Sequence, residues 1–303
     1  MLSRQRYSVL IFSSSVRRLA EASAFASAHQ FEYHPELVPA DDVRPFAASY
    51  HSLALEFSES AVQLRSLTQP KLKPLRVDFI AGKAGFRQQK AQSAGGTAHE
   101  QVLKAMSLHR NSGAGLTVVD ATAGLGRDAH IIAGQVARVW LFERHPVLAR
   151  LLQDGLDRAR DDASAPMQAD TIDRMTLCDM DFTSWTPTED LQVDIVYLDP
   201  MFAADAEAVP GGRASRKKGP LVKKDMQLLH ELHATELSDA EQRQLNERRL
   251  LDKAFSLNPS RVVVKRARLA PFLADEKTDL QLEGKAGRFD IYALRSLKKT
   301  PAR

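Results

Sequence analysis

Two short stretches carry residue types that can do chemistry together. The first is "VVDATAGLGRD", Val118 to Asp128. An apolar run ends in Asp120, a glycine turn follows at Gly124-Leu125-Gly126, and a helical pattern starts near Arg127. Glycines let the backbone approach a ligand closely, and a helix N-terminus presents N–H groups to it. Asp120 would repel a pyrophosphate but pair with an ammonium group. Glu143 closes the next apolar run, "ARVWLFE", at a place where an acid takes two ribose hydroxyls. Acids at both places suit S-adenosylmethionine, which carries an amino group, a ribose and a sulfonium and no phosphate. They disfavour NAD. So does Ala129, which stands where the dinucleotide fingerprint has its third glycine. A purely structural strand-to-helix turn is the competing reading of a lone G-x-G.

The second stretch is "YLDPMF", Tyr197 to Phe202, directly after "QVDIV". A buried strand here ends in an acid, a proline and an aromatic. Alone, Asp-Pro reads equally well as a turn starter. Next to a loop that holds S-adenosylmethionine, it reads as the place where an amine meets the methyl group. An exocyclic amine on a base is a poor nucleophile, because its lone pair is delocalised into the ring. Asp199 and the Pro200 carbonyl can accept its N–H bonds and aim the nitrogen, and such positioning contributes several kcal/mol. Phe202 can stack on the base, worth about 1–3 kcal/mol.

Basic segments surround this second stretch. "RASRKKGPLVKK" (213–224) carries Lys217, Lys218, Lys223 and Lys224 among its cations and no acid. Its position just after the acid–proline turn favours contact with RNA phosphates over a merely solvated loop. "RVVVKRAR" adds Lys265 and Arg266 at the end of another strand, one of them open to a structural role. "GKAGFRQQK" adds Lys83, Arg87 and Lys90. The histidines show no metal-ligand spacing, so no metal is expected, and Cys178 reads as a small core residue.

These residues need a scaffold. The 303 residues are 44% hydrophobic and 26% charged, ordinary for a soluble globular protein. One cysteine excludes an internal disulfide and fits a reducing compartment. The formal charge is +4 and the isoelectric point about 9.1, a basic balance. No stretch approaches the roughly 18 apolar residues that a membrane span needs. The early apolar run Val9–Phe12 is too short for a signal peptide. A cytoplasmic protein is expected.

From about residue 93 the pattern turns regular. Strands are predicted at 116–121, 137–143, 174–179, 194–199 and 261–266, alternating with helices such as "HPVLARLLQDGLDRAR" with Pro146 in its first turn. A capping box, Ser238 and Glu241, opens another helix. "DLQLEGKAGRFDIYAL" reads as a closing hairpin around Gly284–Gly287. The expected fold is α/β: a Rossmann-like, mostly parallel sheet with a closing antiparallel hairpin. A small N-terminal α+β region (1–92) is expected to precede an S-adenosylmethionine-binding, methyl-transferring domain (93–303). In the former, "YSVLIF", "SLALEF" and "LRVDFIAGK" look like strands and "VRRLAEASAFASAHQF" like a helix.

The stretches "VVDATAGLGRDAH", "FERHPV", "VYLDPMF", "LVKKDM", "RVVVKR" and "GRFDIYAL" together resemble the bacterial ribosomal RNA small-subunit methyltransferase J family, over about residues 75–295. The resemblance implies a class I S-adenosylmethionine-dependent enzyme that methylates N2 of a guanosine near the 3′ end of 16S rRNA. It places cofactor contacts on Arg127, Asp128, Glu143, Arg144 and Asp199. A further pair falls on Met180 and Asp181, in place of small hydroxyl residues, with Asp179 as their neighbouring alternative. The implied partner is small-subunit rRNA or its assembly particle. Competing readings are a same-fold enzyme acting on DNA adenine or a protein amide, an NAD-dependent oxidoreductase, and a non-catalytic RNA-binding module. Binding of S-adenosylmethionine against NAD separates the enzyme classes.

Overall fold

The β-branched runs of the second half become neighbouring strands. A computed structural model describes residues 9–40, 42–46, 49–81, 85, 87, 91, 100–108, 113–200, 222–233, 240–284 and 287–297; for 222–225 and 240 it describes the backbone alone. The strands are β1 (Val9–Ser13), β2 (Glu32–Tyr33), β3 (Leu53–Phe57), β4 (Val62–Ser66), β5 (Gly113–Asp120), β6 (Val136–Phe142), β7 (Met175–Cys178), β8 (Ile195–Leu198), β9 (Arg261–Ala267), β10 (Leu280–Glu283) and β11 (Gly287–Ala293). The helices are α1 (Leu19–His29), α2 (Gln101–Ala105), α3 (Arg127–Ala133), α4 (Pro146–Asp161), α5 (Pro166–Ile172), α6 (Val222–His233) and α7 (Ala240–Ser256).

Seven strands form one sheet in the order β10-β11-β9-β8-β5-β6-β7. β9, β8, β5, β6 and β7 run parallel, and β11 is antiparallel to both its neighbours. The expected parallel sheet with a closing hairpin is therefore found. The chain leaves β5 towards β6 and β7, then returns to β8 on the other side of β5. That reversal opens a crevice at the carboxyl ends of β5 and β8, the place where ligands bind in such sheets. The register pairs Asp120 with Tyr197, so the ends of both chemical stretches lie side by side.

Burial explains the runs. Val118, Val119, Val196, Val262, Val263 and Val264 are fully buried, as strands covered on both faces require. α4 buries Leu148, Leu151, Leu152, Leu156 and Ala159 at helical spacing. Its N-cap is His145, whose Nδ1 accepts the Val147 N–H at 3.2 Å, with Pro146 in the first turn. Of the expected capping box on α7, Ser238 lies outside the described residues.

The chain packs as two compact units, Met1–Val77 with Val209–Leu237 and Asp78–Ala208 with Ser238–Arg303. In the first, four strands run in the order β2-β1-β3-β4, and α6 buries Leu228, Leu229 and Leu232. The strand expected at "LRVDFIAGK" is reduced to a single bridge between Leu75 and Leu64. The reason is local: Asp78 Oδ1 accepts the N–H groups of Ile80 (3.1 Å) and Ala81 (2.8 Å), which turns the chain out of an extended course. Sequence patterning did not anticipate β4, α5 or α6. Among the described residues, no helix is long and apolar enough to cross a membrane.

Candidate active site

The glycine loop is shaped by its own backbone. Gly124 and Gly126 have φ of +54° and +69°, the left-handed region that glycine occupies without strain. They differ in surroundings. A Cβ on Gly126 would meet Leu152 and Phe79 side chains at 2.7 and 3.1 Å, whereas one on Gly124 would meet nothing within 4 Å among the described residues. Gly126 is thus required for packing, and Gly124 leaves its backbone open to an incoming group. The Ala123 N–H donates to the Phe142 carbonyl at 2.9 Å, and the Ala121 N–H to the Tyr197 carbonyl at 3.0 Å. The loop is tied to β6 on one side and β8 on the other.

Glu143 does more in this loop than its place at a strand end suggests. It is only 8% exposed. One carboxylate oxygen accepts the Gly124 N–H and the other the His145 N–H, both at 2.8 Å. The acid therefore ties the glycine turn to the start of α4. Asp120 is 2% exposed and accepts the Thr122 N–H at 3.2 Å. Burial pushes its carboxyl well above the ordinary range. The Thr122 hydrogen bond opposes this, while the charges of Asp128, Asp199 and Glu143 add to it. A buried acid ringed by acids is a site for a cation.

Asp128, in the first turn of α3, is the hub of a second network. Its Oδ1 accepts from Arg87 Nη1 at 2.8 Å. Its Oδ2 accepts from the Tyr197 hydroxyl at 2.8 Å and from Lys265 Nζ at 3.0 Å. Burial would raise its pKa, but Lys265 and Arg87 outweigh that and hold it well below the usual carboxylate range. Arg87 also grips Glu100, at 2.7 Å from Nη2. Lys265 Nζ donates to Asp199 Oδ2 at 2.7 Å as well. Burial opposes the lysine's charge, yet Asp128 and Asp199 raise its pKa above the ordinary value. The Asp199 N–H donates to Thr122 Oγ1 at 2.7 Å, which joins the acid–proline stretch to the glycine loop. Pro200, the next residue, is buried.

The remaining expected residues divide. Arg127 and Arg144 are exposed at the starts of α3 and α4. Arg144 lies 3.8 Å from Asp181. Asp181 caps the short turn Phe182–Ser184, accepting the Thr183 N–H at 2.8 Å and its hydroxyl at 2.6 Å. Met180, beside it, is the exposed apolar side chain at the carboxyl end of β7. Arg266 requires a correction. It is a buried side chain that donates to the Pro271 carbonyl at 3.1 Å and to Glu247 of α7 at 3.3 Å, so it is not a surface cation for phosphate. Phe202, Lys217 and Lys218 lie outside the described residues, as do the side chains of Lys223 and Lys224. Sequence reasoning missed the joint roles of Tyr197, Thr122 and Arg87. It also missed that Lys265 reaches Asp199. One signal was available: a lysine after three buried valines needs an acid nearby.

A family model described as "Putative SAM-dependent methyltransferase" matches residues 45–294. The ribosomal RNA small subunit methyltransferase J of Tolumonas auensis is 39% identical over 246 residues, 80% of this chain and 86% of the relative. That of Hahella chejuensis is 35% identical over 288 residues, 95% of this chain and 96% of the relative. The chain belongs to the ribosomal RNA small subunit methyltransferase J family. A solved SAM-dependent methyltransferase of Neisseria gonorrhoeae shares the fold, with a TM-score of 0.60 and 25% identity over 96% of this chain and 97% of that one. The enzyme is thus S-adenosylmethionine-dependent, and its crevice suits that group. The buried Asp120 matches an ammonium, the open backbone at Gly124 admits close approach, and the acidic surroundings exclude a phosphate-bearing cofactor.

Proposed function

We propose that the protein methylates N2 of a guanosine near the 3′ end of 16S rRNA, on the rRNA or its small-subunit particle in the cytoplasm. The observation that carries this reading is the placement of Asp199. It sits at the end of β8, bound through its own N–H to Thr122 of the glycine loop, in the crevice where the sheet order reverses. The relatives named above are small-subunit rRNA methyltransferases by name. When bound, S-adenosylmethionine supplies an electrophilic methyl group on its sulfonium.

The protein's residues bind and aim. Asp120 pairs with the ammonium of the methionine moiety, and Glu143 receives the ribose hydroxyls. Gly124, Gly126, Arg127, Asp128 and Arg144 shape the loop and helix starts around them, and Met180 with Asp181 flanks the adenine side. Asp199 and the Pro200 carbonyl accept the two N–H bonds of the guanine amine. Two acceptors fix the plane of the amine and stabilise the positive charge that builds on nitrogen as the new bond forms. Phe202 stacks on the base, and the basic segment 213–224 meets RNA phosphates.

The test is mass mapping of 16S rRNA from cells with and without the gene, followed by in vitro restoration with purified protein. A single guanosine should lose its base methyl group without the gene and regain it with protein and S-adenosylmethionine. An identical modification pattern in both cell types would refute the assignment. Methyl transfer to DNA adenine or a protein amide instead would favour the same-fold alternative.

A further inference from the structure

Lys265 reads from the sequence as an RNA contact, and the structure gives it other partners. Its ammonium lies between two carboxylates, 2.7 Å from Asp199 and 3.0 Å from Asp128. We propose that Lys265 is a positioning residue, which holds the Asp199 carboxylate in the orientation that receives the guanine amine. The inference rests on the function proposed above.

The geometry supports it in three ways. First, Lys265 follows Val264, the last residue of β9 paired with β8, and Asp199 follows its partner Leu198. The two side chains therefore leave adjacent parallel strands at the same level. Second, Lys265 is itself held. Asp128, its other partner, is fixed by the Tyr197 hydroxyl from β8 and by Arg87, which Glu100 secures in turn. The Lys265 ammonium thus links Asp199 to both β9 and the first turn of α3, the helix that follows the glycine loop. A shift of the loop would be felt at the amine-accepting acid. Third, the cluster does not suit a phosphate. Among the described residues, Lys265 and Arg87 contribute two positive charges, and Asp128, Asp199 and Glu100 three negative ones, a balance of −1. A phosphate would have to displace a carboxylate from Lys265 and enter a net negative field.

Without the ammonium, Asp128 and Asp199 would face each other as like charges. That repulsion would turn Asp199 from the orientation in which it receives the amine. The side chains of Lys265 and Asp199 are each 37% exposed, so the loss is read in rate rather than in global stability.

The experiment uses the full chain and small-subunit particles from cells lacking the gene. Single-turnover methylation, S-adenosylmethionine affinity and particle affinity against salt are measured for the wild type, Lys265→Met, Lys265→Arg, Asp199→Asn and the Lys265→Met/Asp199→Asn double variant. Lys265→Met should slow the methylation step roughly 10- to 100-fold, as expected when a reacting group is misplaced. Its particle affinity and salt slope should stay at wild-type values, and any change in its cofactor affinity should be far smaller than the loss of rate. Lys265→Arg should recover part of the rate. In the Asp199→Asn background, Lys265→Met should cost nothing further, because the residue acts through that carboxylate. If Lys265→Met does not fold, Lys265→Gln gives the same reading, since its shorter side chain keeps a donor without the reach.

A near-normal rate with a salt slope lower by about one unit would make Lys265 a phosphate contact and overturn the proposal. Fully additive effects with Asp199→Asn would overturn it too. A wild-type protein inactive on these particles would instead remove the functional reading itself, and the Lys265 role with it.

Discussion

Glu143 offers the sharpest test of how the cofactor loop is built. As a ribose contact alone, its removal would weaken only the ligand. The structure adds two duties, because its carboxylate accepts the N–H groups of Gly124 and His145, each at 2.8 Å, in a site where the residue is 8% exposed. A buried donor that loses its partner costs about 1–3 kcal/mol. In Glu143→Gln, the amide oxygen keeps one of these N–H groups and the amide nitrogen opposes the other. Ligand-free stability should therefore fall by about 1–3 kcal/mol. Glu143→Ala loses both partners and should fall by about twice that, less whatever entering water returns. S-adenosylmethionine affinity should drop at least about 10-fold in both variants, equivalent to about 1.4 kcal/mol, as the Gly124 turn loosens and the ribose acceptor is lost. Urea unfolding without ligand and calorimetry with it measure the two effects separately. If ligand-free stability is unchanged while affinity falls, Glu143 touches only the ligand, and the idea that it clamps the turn is wrong.

Other expectations can be checked together. Asp199→Asn keeps an acceptor oxygen and should retain some turnover, whereas Asp199→Ala should lose about 10²-fold or more in single-turnover methylation; near-normal turnover would leave "YLDPMF" as a strand end and a turn. Asp120 is held above the ordinary carboxylate range by burial and ionises when a cation pairs with it. Cofactor affinity should therefore fall as pH drops through its ligand-free pKa, and Asp120→Asn should bind more weakly and lose that dependence. His130 is buried against Phe79 with neither ring nitrogen hydrogen-bonded among the described residues, and burial pushes it down to about 4. The unfolded chain takes up the proton first, near an ordinary value of about 6.5. His130 therefore contributes fully above that pH, and the contribution is lost as pH falls towards 4. Between pH 7 and 5 the wild type should lose about 2 kcal/mol more stability than His130→Leu, and parallel unfolding curves would refute this. Neutralising Lys217 and Lys218 should flatten the salt dependence of RNA binding by roughly one to two units while cofactor affinity holds; an unmoved slope would make the segment merely solvated.

Much of the fold was legible because it is written in local patterns. Apolar, often β-branched runs of four to eight residues, most of them ending at an acid, mark buried parallel strands with ligand-facing ends. Asp120, Gly124, Glu143 and Asp199 could be picked out because each stands at such an end. The strand expected after Leu75 failed because apolar content does not outweigh a side chain that bonds its own backbone, as Asp78 does. α6 was missed although its pattern spans 12 residues, because its buried leucines pack in the first unit, far along the chain from β3 and β4.

By itself, then, the sequence determined the sheet's parallel core, the glycine turn and the acids at its strand ends, since strand ends and turns depend on neighbours a few residues away. Only the tertiary structure decided which charges meet. Lys265 reaches Asp199 across 66 residues of chain, and Tyr197 reaches Asp128 across 69. The contrast between Lys265 and Arg266 shows why. They are adjacent on β9, and successive side chains of a strand point to opposite faces. Both faces of this strand are buried, so "VVVKR" does not say which cation turns towards the site. The strand order and the helices laid over each face settle it: Lys265 meets the acids of α3 and β8, and Arg266 meets Glu247 of α7.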